Sequence, residues 1–324
     1  MTAGSGAGTP RHAEGVPAPD QVAIPGGEFA MGSELEPEER PVHRVRVDPF
    51  LMDVTAVTNA QYRAFVDATG YVTVAERPLD PADYPGAIPE LLVPGSQVFV
   101  GTPGPVDLRD LLQWWAWVPG ACWHAPAGPG SSIEGLDDHP VVHVAHEDAL
   151  AWATWAGRDL PTEAEWERAA RGGLEGATFA WGDEAEPDGR RLAKWFEGDF
   201  PHRNAPRDGF EATVPVGSLP PNGYGLHEIT GNTWEWVSDW WSDRHPADAD
   251  KPCCVPANPR GGPEARSYDR AMPQIRIPRR VIKGGSHLCA DSYCRRYRPA
   301  SRRPQMVDSA TSHIGFRTVT RAAP

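Results

Sequence analysis

Glycine and proline constrain this chain more than any other residue types: 33 Gly and 35 Pro make up about a fifth of its 324 residues. Proline removes a backbone donor and clashes with the preceding helical turn, and glycine is a poor helix former. Long helices cannot absorb such a load, which argues against a bundle, a helical solenoid or a coiled coil. The two residues follow no triplet period, which removes a collagen-like chain. Hydrophobic residues at 40%, with 13 Trp, supply the apolar surface that a packed core needs. The expectation is a loop-built domain whose loops are pinned by large aromatics.

The formal net charge of −13 lacks the basic surplus that a phosphate backbone attracts, so nucleic acid is not an expected partner. No stretch approaches the roughly 18 apolar residues of a membrane span, so no membrane is expected either. The N-terminal MTAGSGAGTPRHAEGVPAPD has neither a charged n-region nor an apolar h-region. Residues 1–20 read as a disordered leader and 21–324 as one domain, expected to be a cytoplasmic monomer with reduced thiols. Five Cys is an odd number and fits poorly with a complete disulfide framework.

Val22 to Ser33 (VAIPGGEFAMGS) reads as a strand, a Gly-Gly turn and a second strand. His43 to Phe50 alternates Val45 and Val47 with Arg44 and Arg46, as a half-exposed strand does. Thr58 is placed to N-cap a helix over 59–69, with Tyr62, Phe65 and Val66 on one face and Gly70 past its end. Residues 78–135 read as loop, with Trp114, Trp115, Trp117 and Trp123 inside it. His139 to Ala145 (HPVVHVA) reads as a short buried strand, and 147–156 as a helix ended by Gly157. Thr162 and Glu165 form a T-x-x-E capping box ahead of Trp166 and Ala169. Residues 172–231 are mostly turns, and 281–286 and 315–320 are late strands. No repeat or linker divides the chain, so one irregular α+β domain is expected.

The segment richest in chemistry is GGSHLCADSYCRRYR, Gly284 to Arg298. Cys289 and Cys294 stand five apart, which is not the C-x-x-C of a zinc knuckle or a thioredoxin-like site. Two further Cys at suitable spacing are lacking. On spacing alone, two structural cysteines or an incidental disulfide is the more ordinary reading, because buried Cys is common. As a metal site, two thiolates suit a soft, low-coordinate ion, with Cu(I) the leading candidate and room left for a third sulfur. Arg295, Arg296 and Arg298 nearby favour thiolate. With Arg302 and Arg303 they form a basic run that reads either as a solvated face or as contacts to an extended peptide.

This segment resembles the active-site loop of the formylglycine-generating enzymes, the sulfatase-modifying factor family. Further matching motifs follow in order along nearly the whole chain: IPGGEFAMGS from Ile24, TAVTNAQYRAFVDATGY from Thr55, HPVVHV from His139, LPTEAEWERAARGG from Leu160, NGYGLHEITGNTWEWVSDWW from Asn222 and HIGFR from His313. The resemblance implies an irregular fold related to C-type lectins. It implies an O2-using oxidase that converts the Cys of a C-x-P-x-R stretch in an unfolded sulfatase to Cα-formylglycine, with Cu(I) held by Cys289 and Cys294. Ser286 then matches a Ser that contacts O2 or its products, and Trp234 a Trp that walls the O2 pocket. Tyr293 and Arg302 match residues around the substrate cleft. For Trp234, simple core packing explains the residue equally well.

The resemblance also implies two Ca2+ sites. One maps onto Glu228, Gly231, Thr233 and Glu235, a set of carboxylates and carbonyls of the kind Ca2+ takes. The other maps onto Trp195, Asp208 and Phe210, but Lys194 stands where the family has Asn. An ammonium has no lone pair for a cation, so this site is expected to be metal-free, with Lys194 paired to Asp208. The position after GFR, usually Cys in the family, is Thr318, so a disulfide of the relatives is not expected.

Two other functions compete with the oxidase. A non-catalytic, lectin-like binding module would keep the Gly and Trp motifs without needing the Cys pair. An iron sulfoxide synthase of the same superfamily would use H-x-x-x-H-x-E, and His139, His143, His146 and Glu147 come near that pattern. However, Ala145 stands where the Glu belongs, and ordinary strand and helix-start roles are the reading preferred. Cys122, Cys253 and Cys254 are read as bystanders.

Overall fold

Capping chemistry sets where the helices begin. The computed structural model describes residues 17–246 and 255–322. Among them are three helices, α1 (Asn59–Thr69), α2 (His146–Trp155) and α3 (Glu163–Ala170). Thr58 and Gln61 form a reciprocal capping box on α1, and Thr162 and Glu165 do the same on α3. Asp148 accepts the Ala145 amide at 2.8 Å to open α2. Gly70 closes α1 in the left-handed conformation, φ 66°.

The strands are short. They are β1 (Gln21–Ile24), β2 (Gly27–Met31), β3 (His43–Val47), β4 (Phe50–Asp53), β5 (Gly95–Phe99), β6 (Trp115–Pro119) and β7 (Gly198–Asp199). They continue with β8 (Arg203–Asn204), β9 (Trp234–Trp240), β10 (Arg279–Lys283), β11 (Arg302–Met306), β12 (Ile314–Gly315) and β13 (Val319–Arg321). The largest sheet has the order β11-β10-β9-β12, a second has the order β1-β4-β13, and β2-β3, β5-β6 and β7-β8 are pairs. This is the irregular α+β domain that the Gly and Pro content implies. No helix of the described residues is long and apolar enough to cross a membrane.

Strands β9 and β10 form a wall between two core clusters. Side chains alternate across a strand, so Trp234, Trp236 and Ile282 face a cluster with Tyr62, Trp152, Cys289 and Phe316. Val237 and Val281 face the other, with Trp166 of α3 and residues of β1–β4. All 13 Trp are buried or half-buried, so the aromatics pin the loops as expected. Charge is buried along the same wall: Lys283 reaches Glu167 at 3.0 Å, and Arg302 holds Glu163 through two hydrogen bonds of 2.6 and 3.0 Å.

Four expectations need correction. Strands β1 and β2 are separate rather than a hairpin, because β1 pairs with β4 and β2 with β3. The chain turns between them under Pro49, where a Cβ on Gly26 would lie 2.7 Å from the Pro49 nitrogen. The stretch 78–135 is not all loop, since β5 and β6 pair through five residues. The HPVVHVA stretch forms no strand: His143 has φ 60°, which breaks the extended run. The leader boundary also moves. Asp20 and Pro19 carbonyls accept from Val54 and Arg158, so residues 17–20 are tied to the body, and the rest of the expected leader lies outside the described residues.

Candidate active site

Two glycines turn the chain out of β10 into the cysteine loop. Gly284 and Gly285 have φ of 89° and 75°. A Cβ on Gly284 would meet the Trp166 ring at 2.8 Å, and one on Gly285 the Arg296 carbonyl oxygen at 2.5 Å. Only glycine permits both the conformation and the approach. The loop then returns to β11, which pairs with β10 from Arg279↔Met306 to Lys283↔Arg302.

Within the loop, local hydrogen bonds bring the two thiols together. Ser286 and Cys289 close one turn: the Cys289 amide donates to the Ser286 carbonyl at 2.9 Å, and the Ser286 amide donates to Cys289 Sγ at 3.5 Å. The Leu288 amide donates to Ser286 Oγ at 3.2 Å. Tyr293 and Cys294 close a second turn onto the Ala290 carbonyl at 3.1 and 2.8 Å. Cys289 and Cys294 are both free thiols, the first buried and the second half-buried, and they hydrogen-bond each other. The shared proton pushes Cys289 well above the ordinary thiol range, and burial adds to this. The same contact, with Arg296 close by, holds Cys294 below that range.

Trp234, 5% exposed, lies in the same core cluster as Cys289, with Cys294 packed against that cluster. The Tyr293 ring stacks on Phe200 at 4.7 Å and meets Trp114 edge-on at 5.7 Å. His287 and Leu288, between Ser286 and Cys289, form part of the wall of a cavity of about 470 Å³ that also borders Phe99, Trp123, His143 and Phe196. Neither cysteine lines it.

Arg302 does not join this group. Its guanidinium is committed to Glu163, to the Glu38 and Ser242 carbonyls and to the Trp241 face, 4.3 Å from the ring centre. It is a buried strut. The rest of the basic run is also paired: Arg295 with Asp291, Arg298 with Glu39, and Arg296 and Arg303 with Glu38. Sequence reasoning missed Glu38, which positions Arg296 beside Cys294 from 258 residues upstream; no local pattern signals such a pair.

The first expected calcium position does not fit an ion as arranged. Both Glu235 oxygens accept from Arg317 Nε, at 2.9 and 2.8 Å, and Trp166 Nε1 donates to one of them at 2.7 Å. Glu228 accepts the Gly217 and Leu219 amides at 2.8 and 2.7 Å. Gly231 and Thr233 are buried beside them. A cation here would have to displace the Arg317 guanidinium.

At the second position, Lys194 Nζ lies 3.0 and 3.2 Å from the Asp208 oxygens and also bonds the Phe210 carbonyl. Trp195 instead stacks on Tyr297, ring centres 4.7 Å apart. The fully buried ammonium takes two of the three groups that would have ligated an ion. Arg191 also pairs with Asp208, so removing Lys194 leaves that carboxylate one cation and strips the Phe210 carbonyl of its ammonium donor. Lys194→Met is therefore expected to destabilise the fold by about 1–2 kcal/mol in urea unfolding, while millimolar Ca2+ leaves the wild-type midpoint unchanged. A midpoint that rises with Ca2+ in the wild type would show that an ion does bind there.

The histidines of the iron pattern do not converge. His139 Nδ1 bonds Thr213 Oγ1 at 2.9 Å, His143 Nδ1 bonds Ser96 Oγ at 2.6 Å, and His146 packs edge-on to Trp236. Thr318, in place of the family Cys, donates its amide and hydroxyl to Asp53 at 2.8 and 2.6 Å. Cys122 is buried, and Cys253 and Cys254 lie outside the described residues.

Residues 7–322 match the family described as sulfatase-modifying factor enzyme 1-like domain. The chain is 52% identical over 300 residues to a formylglycine-generating enzyme of Mycobacterium tuberculosis, covering 92% of this chain and 96% of that one. It is 46% identical over 314 residues to a formylglycine-generating enzyme of Thermomonospora curvata, covering 95% of each. PvdO from Pseudomonas aeruginosa shares the fold, with a TM-score of 0.61 at 22% identity over 93% of this chain and 94% of that one. By profile, identity and fold together, the chain belongs to the sulfatase-modifying factor family.

Proposed function

We propose that this protein oxidises the cysteine of a C-x-P-x-R stretch in an unfolded sulfatase to Cα-formylglycine, using O2 and copper held by Cys289 and Cys294. The observation that carries the reading is the unbridged thiol pair itself. Among the described residues no third His, Asp, Glu or Cys gathers on it to make a metal cluster. Two sulfur donors in an apolar wall fit Cu(I) better than a harder ion, and they leave a place for the thiolate of the substrate. The names of the two bacterial relatives support the same activity.

When bound, copper supplies the electron exchange with O2 that protein side chains lack. This chain's own residues supply position and charge. Cys294 is the more readily deprotonated of the two thiols, and both give up their protons to hold the metal as a dithiolate. Arg296 offsets that negative charge. Ser286 Oγ already accepts the Leu288 amide, so its own hydrogen is free to donate to an oxygen species. Trp234 closes the apolar side against water. The substrate lies extended, held by main-chain hydrogen bonds, with Tyr293 in the wall of its cleft.

The reaction balances with an external thiol as reductant. The substrate cysteine loses one Cβ hydrogen and its thiol hydrogen to give a thioaldehyde. O2, with two electrons and two protons from that reductant, leaves as two waters. Water then adds to the thioaldehyde, which releases sulfide and the aldehyde. The cytoplasm, which keeps thiols reduced, is the compartment that suits this chemistry.

The test is to load the protein with Cu(I) and supply a C-x-P-x-R peptide, O2 and a thiol. Aldehyde should appear on the peptide cysteine, and a peptide with Ser in its place should give none. Stoichiometric copper binding with no aldehyde would overturn the reading in favour of a binding module.

A further inference from the structure

We propose that Glu76, Cys122 and His124 form a second metal site, for zinc, remote in sequence from the cysteine loop and independent of the oxidase reading. Glu76 ends a short 3₁₀ turn after α1, and Cys122 and His124 follow β6 in the Trp-rich stretch. Their ligand atoms all lie within 4.8 Å of one another, the one such group of three among the described residues. Thiolate, imidazole and carboxylate are the three donor types that zinc takes in proteins.

Two of the donors, now joined by a hydrogen bond, already stand at the spacing of two zinc ligands. His124 Nε2 and Glu76 Oε1 are 3.3 Å apart. Zinc bonds to nitrogen and oxygen at about 2.0–2.2 Å, and a tetrahedral angle then separates the two donors by about 3.3–3.5 Å.

Two of the three ligands are also held from behind, as metal ligands are. Glu76 Oε2 accepts both the Thr73 amide, at 3.1 Å, and the Thr73 hydroxyl, at 2.6 Å, which leaves Oε1 directed to the site. The tight turn Cys122–Ala125 is closed by two backbone bonds of 3.2 and 3.1 Å, which fixes the backbone that carries the Cys122 thiol.

The charges match as well: one thiolate and one carboxylate neutralise a divalent ion. Cys122 is buried, Glu76 is half-buried and His124 is exposed, so the ion enters from solvent and keeps its fourth position for water or an external ligand. Such an ion staples the segment after α1 to the Trp-rich loop.

The test is a Co2+ titration of the full chain carrying Cys289→Ala and Cys294→Ala, so that the thiol pair cannot compete. One equivalent should give tetrahedral visible bands and a thiolate-to-cobalt charge-transfer band, both displaced by Zn2+. Cys122→Ser should abolish the charge-transfer band. His124→Ala, at an exposed position where the fold is safe, should weaken binding at least tenfold. No band at one equivalent, a band that survives Cys122→Ser, or affinity unchanged by His124→Ala would overturn the proposal. Because the oxidase thiols are absent throughout, none of these results bears on the formylglycine reading.

Discussion

Replacing either Cys289 or Cys294 by Ala should lower aldehyde formation by at least about 10³-fold, with the fold retained. The argument rests on how little each thiol supports. Cys294 is half-buried, and its backbone bonds to Ala290 and Arg296 survive any side chain. Cys289 is more deeply packed, but its removal leaves only a small void, worth about 1 kcal/mol. Copper affinity, near-UV circular dichroism and turnover should be measured on the same samples. The expected pattern is lost copper and lost turnover with an unchanged spectrum. Turnover near the wild-type rate in either variant would remove the pair from the chemistry.

Acid should destabilise the protein from about pH 6.5 downward, well before its depressed carboxylates titrate. Burial depresses His143 to about 4, and His146 and His245 to about 3. Arg280 faces His146, and Arg302 and His43 face His245. These charges add to the effect, although Glu163 and Glu167 oppose it at His245. His143 meets the Ser96 hydroxyl and has His313 near it. In the unfolded chain all three take a proton near pH 6.5. Between 6.5 and the folded values the unfolded state therefore binds more protons, and stability falls as pH falls.

Asp148 and Asp239 act the other way. Burial raises each to about 6, so the penalty they carry at neutral pH is relieved on acidification. From pH 7 to 5 the three histidines outweigh the two aspartates by about 3 kcal/mol. Below pH 4.5 a further loss sets in. Despite burial, Arg302 and Lys283 hold Glu163 to about 2, and Lys283 and Arg171 hold Glu167 to about 2. The stability from these depressed carboxylates is complete above their unfolded range and is lost as pH falls towards 2. Urea midpoints measured across this range should decline from pH 7 to 5 and more steeply below 4. A midpoint that is flat or rises between pH 7 and 5 would contradict this assignment of neutral buried histidines.

What could be read in advance divides by range. Caps are local, so Thr58 with Gln61 and Thr162 with Glu165 announce their helices within four residues. The Lys194–Asp208 pair was legible through the resemblance, which puts both residues at one cation position, where an ammonium must find a carboxylate. The HPVVHVA run misled because apolar character says nothing of a φ reversal at His143. Strands β5 and β6 were hidden because Pro and Gly crowd their flanks while the pairing partner lies a long connection away. Glu76 and His124, Glu38 and Arg296, and Glu235 and Arg317 are brought together only by the tertiary fold, and no spacing rule reaches so far. Arg302 shows the converse: a motif position marks a residue that matters without telling a strut from a contact.

The cysteine loop leaves β10 and re-enters on its neighbour β11, directly opposite. Both thiols of the proposed reaction are therefore carried on an excursion clamped at its base by a ladder that contains neither of them. Two point changes in that excursion would erase the chemistry and leave the scaffold standing. Activity in this architecture is thus easily lost by drift, and silent copies of the fold should arise readily wherever selection on the reaction is relaxed.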